Sequence, residues 1–240
     1  MERWDELWPG GLRFCFGDGA FKPSTDTFLL GGFAAVRRGE RVCDLGAGIG
    51  LLGLLLLGRE SDLRVTDIDV DETACAMASR SAAANGLDGR ITVLRADLRD
   101  RASLPGANSF DVCTANPPYF PTDSGRVAAG QRGAARAELT CTPDDLCGAA
   151  AYLLRSGGRF YMVHRAERTA ELMETLRHHR LEPKELRFVQ KDIATPPRLV
   201  LLGCRRDGGA GLTVHMPLLL QKDDGGDSDE LRRIYFRDRG

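Results

Sequence analysis

Short apolar runs alternate with stretches of helical periodicity along most of the chain. This alternation is typical of an α/β protein whose parallel strands are joined by crossover helices. Strands are predicted at residues 41–45, 63–67, 91–94, 110–115, 158–163, 186–190 and 199–204. Helices are predicted from the glycine-rich turn at 46–50 to Leu57, and at 71–85, 143–155 and 167–179. The pattern predicts a doubly wound sheet of seven mainly parallel strands with helices on both faces.

The composition fits such a fold and restricts the classes of function. The 240 residues are 42% hydrophobic and 28% charged, which is ordinary for one globular domain, so residues 1–240 are expected to form a single domain. A net charge of −1 argues against a protein that binds nucleic acid over its whole surface, although a local basic patch remains compatible with it. No apolar run approaches the roughly 20 residues of a membrane helix. The acidic amino terminus does not resemble a secretory signal, so a cytoplasmic protein is expected.

Cysteine and histidine usage predicts neither disulfides nor a metal site. The seven cysteines are scattered, their number is odd, and several lie in apolar strand-like runs. The four histidines form no metal-ligand spacing with them. We therefore expect reduced thiols and no metal ion.

A glycine-rich turn follows the first strand of the predicted sheet. Gly46, Ala47 and Gly48 come directly after Leu45, and glycines at such a turn allow a ligand to approach the backbone closely. Asp67 follows about 20 residues later, where an acid can accept hydrogen bonds from ribose hydroxyls. These features alone leave a dinucleotide site open. Asp44, however, would repel a pyrophosphate and suits the ammonium group of a methionine moiety.

The fourth strand ends at Asn116-Pro117-Pro118-Tyr119, a segment with a chemical interpretation. A rigid loop terminator explains Asn-Pro, but it explains neither the second proline nor the aromatic residue. The Asn116 amide oxygen and the Pro117 carbonyl oxygen can each accept an N–H from a planar amine, which stabilises the charge that develops on nitrogen during methyl transfer. Tyr119 or Phe120 can stack on the planar group. We interpret residues 116–119 as the catalytic segment.

These motifs resemble those of known methyltransferases. The Asp-x-Gly-x-Gly turn is similar to the first motif of class I methyltransferases, and Asn-Pro-Pro-Tyr resembles the motif of amino-methyltransferases that act on adenine N6 or glutamine N5. The resemblance implies a class I methyltransferase (Rossmann-like) fold with S-adenosyl-L-methionine as cofactor. It implies that Asp97 and Leu98 contact the cofactor adenine. The cofactor residues expected on this basis are Thr25, Asp26, Asp44, Gly46, Ala47, Gly48, Asp67, Ile68, Asp97, Leu98 and Asn116.

Over nearly its whole length the chain is similar to bacterial tRNA1(Val) adenine-N6 methyltransferases. The likeness lies in residues 19–30, which contain Thr25-Asp26, in residues 157–168 and in the endings at 217–220 and 234–235. It implies that residues 1–40 cap the cofactor site, with Thr25 and Asp26 closing over the methionine end, and that the substrate is an adenine of a valine tRNA. Arg126, Arg132 and Arg136, in the loop after the catalytic segment, are candidates for contacts with tRNA phosphates, and a solvated basic loop is the alternative.

Two other functions stay open at this stage. The first is glutamine-N5 methylation of a protein such as a release factor, whose enzymes share the Asn-Pro-Pro-Tyr motif but carry a separate amino-terminal helical domain. The second is a non-catalytic RNA-binding scaffold of the same fold. The sequence does not indicate the oligomeric state.

Overall fold

A central sheet organises the computed structural model, which describes residues 2–17, 22–117, 141–236 and 238. In chain order the strands are β1 (Arg3–Glu6), β2 (Arg13–Phe16), β3 (Arg41–Leu45), β4 (Arg64–Asp69), β5 (Ile91–Arg95), β6 (Phe110–Ala115), β7 (Leu154–Arg165), β8 (Leu181–Gln190), β9 (Leu199–Arg206), β10 (Thr213–Val214) and β11 (Leu218–Leu219). Among the described residues, the main sheet has the order β5-β4-β3-β6-β7-β9-β8-β10, and β11 also pairs with β8.

The seven predicted strands correspond to β3 through β9, which confirms the predicted fold class. Strand β9 runs antiparallel to its neighbours β7 and β8, and the other pairs of the main sheet are parallel. The strand order reverses between β3 and β6, so the carboxyl ends of these two strands flank the point at which ligands bind in such sheets.

Two strands begin earlier than the apolar pattern predicted. Strand β7 begins at Leu154, which pairs with Phe110 before an irregularity in the register. Strand β8 begins at Leu181 and includes Pro183, which the sheet accommodates because the register shifts between Pro183 and Glu185.

Four of the helices correspond to the predicted ones, and two near the ends of the chain were not predicted. They are α1 (Thr25–Phe33), α2 (Leu51–Arg59), α3 (Glu72–Ala84), α4 (Pro143–Leu153), α5 (Thr169–His178) and α6 (Asp229–Ile234). The side chain of Asp71 accepts a hydrogen bond from the Ala74 N–H at the start of α3. Thr142 and Asp145 form a capping box that starts α4. The cap of α1 is Ser24, one residue before the Thr25-Asp26 pair.

Alternate positions of the parallel strands enter two separate cores, as buried strands require. Val42, Val65 and Val112 belong to the core on the side of α1, α2, α3 and α6. Cys43 and Cys113 belong to the core on the side of α4 and α5. The residue two positions after each of these three valines lies on the same face of its strand. These three residues are polar, and they lie side by side near the carboxyl ends of β3, β4 and β6.

The two ends of the chain contain elements that the apolar pattern did not predict. The β1–β2 hairpin lies against α3, where the Cys15 N–H donates to the Ser81 hydroxyl at 2.9 Å. Helix α6 packs by Leu231 and Ile234 against the core that includes α1. Among the helices described, none has the length and apolar character needed to cross a membrane.

Candidate active site

The glycine-rich turn is anchored to the neighbouring strand and leaves open space above it. The N–H groups of Gly46 and Ala47 both donate to the Ile68 carbonyl at 2.9 Å. Gly46 and Gly48 have φ values of 70° and 55°, which favour glycine. A Cβ atom built on either residue would meet no heavy atom within 4 Å. The turn therefore offers a backbone surface that a ligand can approach.

Asp44 lies beneath this turn and is bonded to the neighbouring strand. Its side chain is 2% exposed, and its Oδ1 accepts a hydrogen bond from the Thr114 hydroxyl at 2.8 Å. Burial raises the pKa of Asp44 to about 7, and the bond from Thr114 opposes part of that rise. A cationic ligand group near Asp44 would favour its ionised form, as predicted for the methionine ammonium.

Asp67, the acid predicted to contact the ribose, is buried beneath α2. Asp67 is 1% exposed, and neither of its carboxylate oxygens has a hydrogen-bond partner among the described residues. Cβ atoms built on Gly50 and Gly53 of α2 would come within 2.8 Å of those oxygens, so the helix covers the carboxyl group. Burial, with Asp44 and Asp69 nearby, raises the pKa of Asp67 well above its ordinary value. The geometry therefore does not support Asp67 as a cofactor ligand.

Asp69, which the sequence analysis missed, is the acid that faces the turn. Its Oδ2 accepts from the Gly48 N–H at 2.7 Å, and its Oδ1 accepts from the Asp71 N–H at 2.8 Å. Strand β4 continues two residues past its predicted end, so Asp69 and not Asp67 is the last residue of the strand. Ile68, between them, is buried in the core on the side of α4 and holds the turn through its carbonyl. Asp71 caps the helix that follows, so the strand can continue almost to that residue. This signal could have identified Asp69 as the last residue of the strand.

Asp97 and Leu98 follow β5 at the same edge of the sheet. The carboxylate of Asp97 accepts hydrogen bonds from Arg99, with distances of 2.6 Å to Nη2, 3.0 Å to Nε and 2.9 Å to the backbone N. These bonds hold the pKa of Asp97 below its usual range. Leu98 is half-buried against the core on the side of α4. Arg99 is a residue that sequence reasoning did not identify, and it orients the acid predicted to meet the adenine.

Asn116 directly follows β6, the strand that pairs with β3, and the amino-terminal segment contacts it. Thr114, two residues earlier, is the partner of Asp44 across the sheet. The Asn116 Nδ2 donates to the Thr27 hydroxyl at 2.8 Å and lies 3.4 Å from the Ser24 hydroxyl. Pro117 follows, half-buried. The cofactor turn and the start of the catalytic segment therefore share one edge of the sheet.

The structure describes only two of the remaining predicted site residues. Thr25 and Asp26 form the first turn of α1, beside the Ser24 cap that contacts Asn116. The other residues lie outside the described ranges: Pro118, Tyr119, Phe120, Arg126, Arg132 and Arg136.

A cavity of about 730 Å³ lies between the amino-terminal hairpin and the start of α1. Its walls include the aromatic residues Trp4, Trp8, Phe28 and Tyr235, the last two stacked with ring centroids 4.3 Å apart. Ser24 also lines it. The cavity therefore reaches the helix cap that contacts Asn116.

Histidines occur at a buried strand end and in a possible metal-ligand cluster of the described structure. His164 is buried at the end of β7, and its Nδ1 accepts from the Arg165 N–H at 2.8 Å, at the point where the strand ends. Burial lowers the pKa of His164 to about 4. Among the described residues, the ligand atoms of Asp144, His178 and His179 lie within 4.8 Å of one another. The predicted absence of a metal site therefore stays a prediction.

Comparison with known proteins supports the class of protein that this fold and site define. Residues 16–189 match the methyltransferase small domain family. Among solved structures, a predicted O-methyltransferase from Agrobacterium tumefaciens has a TM-score of 0.72 at 22% identity, covering 88% of this chain and 95% of that one. The fold is that of a class I methyltransferase, and the family match over most of the chain confirms the prediction of an S-adenosylmethionine-dependent methyltransferase.

Curated relatives define the family more closely. A tRNA1(Val) (adenine(37)-N6)-methyltransferase of Bacteroides thetaiotaomicron is 32% identical over 185 residues, which are 76% of each chain. A protein of the same name from Serratia proteamaculans is 33% identical over 218 residues, 90% of this chain and 82% of that one. The chain belongs to the tRNA1(Val) (adenine(37)-N6)-methyltransferase family, as the sequence resemblance had indicated.

Proposed function

We propose that the protein transfers a methyl group from S-adenosylmethionine to the N6 amine of an adenine in tRNA, namely adenine 37 of a valine tRNA. The observation that supports this most is the position of Asn116-Pro117 at the end of β6, beside the strand that carries the glycine-rich turn. The names of the relatives supply the substrate, and the site supplies the chemistry.

The residues at the turn fit a cationic cofactor that lacks phosphates. Carboxylates at Asp44 and Asp69 lie beneath and beside the turn, where they would repel a pyrophosphate and attract an ammonium group. The open space over Gly46 and Gly48 admits a ligand against the backbone. We propose that Asp69 takes the contact with ribose that the sequence analysis assigned to Asp67, and that Asp97 and Leu98 contact the adenine.

The chemistry at the acceptor amine follows from the acceptors that the chain provides. The cofactor, when bound, supplies an electrophilic methyl group on a positively charged sulfur. The Asn116 Oδ1 and the Pro117 carbonyl oxygen each accept one N–H of the amine, which favours a pyramidal nitrogen with its lone pair available for bonding. As the N–C bond forms and the S–C bond breaks, both oxygens stabilise the positive charge on nitrogen. Sulfur keeps the bonding electron pair, and the proton leaves to solvent afterwards.

The remaining parts of the proposal concern residues around this centre. Pro118 and Tyr119 complete the catalytic segment, and Tyr119 or Phe120 stacks on the adenine. Arg126, Arg132 and Arg136 contact tRNA phosphates. Residues 1–240 act as one domain in which segment 1–40 caps the cofactor site through Thr25 and Asp26, and the enzyme works in the cytoplasm without a metal ion.

Transfer of labelled methyl groups tests the proposal against its main alternative. Purified protein and radiolabelled S-adenosylmethionine are incubated with one substrate in each of three reactions. The substrates are a valine tRNA transcript, the same transcript with guanine at position 37, and a release factor. We expect label in the first transcript alone, recovered as N6-methyladenosine. Label in the release factor alone would establish glutamine-N5 methylation instead, and label in neither class would contradict the proposed activity.

A further inference from the structure

The catalytic asparagine is held by two hydroxyl groups from a distant part of the chain. The Asn116 Nδ2 lies 2.8 Å from the Thr27 Oγ1 and 3.4 Å from the Ser24 Oγ. The two hydroxyl oxygens lie 3.0 Å from each other. Ser24 also caps α1 by accepting from the Thr27 N–H, so the start of this helix fixes both hydroxyls.

The direction of the Asn116 carboxamide decides whether the proposed chemistry works. Only its oxygen accepts an N–H from the substrate, whereas its NH₂ group is a donor and would face another donor if the amide were reversed. Hydrogen-bond partners determine which way an amide points. When Thr27 donates its hydroxyl hydrogen to Ser24, the Thr27 oxygen presents lone pairs to Asn116 and favours the NH₂ group on that side.

We infer that Thr27, held in place by Ser24, is a positioning residue that turns the oxygen of Asn116 toward the acceptor amine. This inference rests on the proposed function, because it assigns Asn116 to the acceptor. It gives the amino-terminal segment a role in catalysis beyond covering the cofactor. Thr27 acts on the rate through Asn116, with no contact to the reacting atoms required.

Substitutions at Thr27 separate the hydroxyl group from the shape of the side chain. Thr27→Val removes the hydroxyl at nearly constant volume, and Thr27→Ser keeps it. Thr175→Val is a matched control, because Thr175 is also helical and half-buried, with its hydroxyl bonded to the Glu171 carbonyl on α5. The rate of a single turnover is measured with saturating cofactor and tRNA, and cofactor affinity is measured by calorimetry.

We expect Thr27→Val to slow the single turnover by about 3- to 10-fold, the effect of one lost hydrogen bond, with cofactor Kd unchanged. Thr27→Ser should restore most of the rate, and Thr175→Val should match the wild type. A Thr27→Val enzyme as fast as the wild type would overturn the inference. So would a Thr27→Ser enzyme as slow as Thr27→Val, because the hydroxyl would then not be the cause.

A double-mutant cycle tests whether Thr27 acts through Asn116. In an Asn116→Ala background, Thr27→Val should cause no further loss of rate. An equal loss in both backgrounds would show that Thr27 acts by another route and would overturn the inference.

A spectroscopic measurement needs no turnover. The ¹⁵N side-chain amide signal of Asn116 should shift in Thr27→Val and stay unchanged in Thr175→Val, and an unchanged signal in Thr27→Val would contradict the hydrogen bond. If the wild type methylates no tRNA while this signal does shift, the proposed function fails and the contact remains.

Discussion

Exchanging Asp69 for asparagine should weaken cofactor binding, whereas the same exchange at Asp67 should not. Asp69 accepts two backbone N–H bonds, at 2.7 Å from Gly48 and 2.8 Å from Asp71, and its half-buried carboxylate faces the open turn. An asparagine keeps one acceptor oxygen and loses the charge. Asp67 is 1% exposed beneath α2, and burial raises its pKa, so an amide there replaces a group that α2 covers and that does not face the turn.

The size of the effect follows from the bond that is lost. A hydrogen bond to a charged group contributes about 1.5–3 kcal/mol, which corresponds to a cofactor Kd about 10- to 150-fold higher for Asp69→Asn. For Asp67→Asn we expect a cofactor Kd within about 3-fold of the wild type, because no contact with the cofactor is lost. A tenfold change in Kd would require about 1.4 kcal/mol. Calorimetric titration of S-adenosylmethionine into each purified variant measures both values.

The pH dependence of stability provides an independent test at Asp67. A carboxyl group whose pKa is raised in the folded state makes the protein less stable as pH rises above 3.8, the ordinary pKa of the group. The reason is that the group ionises first in the unfolded chain. Asp67→Asn cannot ionise, so its unfolding free energy should fall less than that of the wild type as pH rises above 3.8. A large loss of cofactor affinity in Asp67→Asn, with Asp69→Asn near normal, would refute the assignment of the two acids.

Three further predictions concern neighbouring positions. Burial raises the pKa of Asp44 to about 7, so cofactor affinity should increase as pH rises through 7, and Asp44→Asn should remove that dependence; titrations from pH 5.5 to 8.5 measure it. Asn116→Ala should lower kcat by about 100- to 1000-fold, as for other preorganised polar groups at a reacting centre, with cofactor Kd nearly unchanged in calorimetry. Gly46→Ala and Gly50→Ala impose similar backbone strain at φ values of 70° and 74°, but only the Gly50 Cβ would meet neighbours, at 2.8 Å from Asp67 and 2.9 Å from a helix α3 side chain. Thermal unfolding should therefore show Gly50→Ala to be less stable than Gly46→Ala by about 1–3 kcal/mol, and equal stabilities would contradict this packing.

The apolar pattern was sufficient to predict the seven main strands and the helices that connect them. It could not locate the end of β4, because both faces of a parallel strand are buried and alternation does not mark where the strand stops. Val65-Thr-Asp67-Ile-Asp69 offers two acids in register, and the choice between them depended on how far α2 covers the strand. That covering is a tertiary property which local sequence does not encode.

Contacts between distant residues were beyond sequence reasoning for a related physical reason. The bond from Asn116 to Thr27 spans 89 positions and depends on how α1 packs at the edge of the sheet. The hairpin at residues 3–16 has a fully exposed first strand, so it lacks the alternation that predicts strands elsewhere. The charged partner of Asp97, Arg99, is two residues away, yet only side-chain geometry shows that it binds the carboxylate.

Modified nucleosides in valine tRNA give the most direct test of the account. The tRNA is purified from cells that lack the gene and from the same cells complemented with the wild type or with Asn116→Ala, and its nucleosides are analysed by mass spectrometry. N6-methyladenosine at position 37 should disappear on deletion, return with the wild type and stay absent with Asn116→Ala. Methylation that persists after deletion, or returns in full with Asn116→Ala, would contradict the claim that Asn116 directs methyl transfer to this adenine.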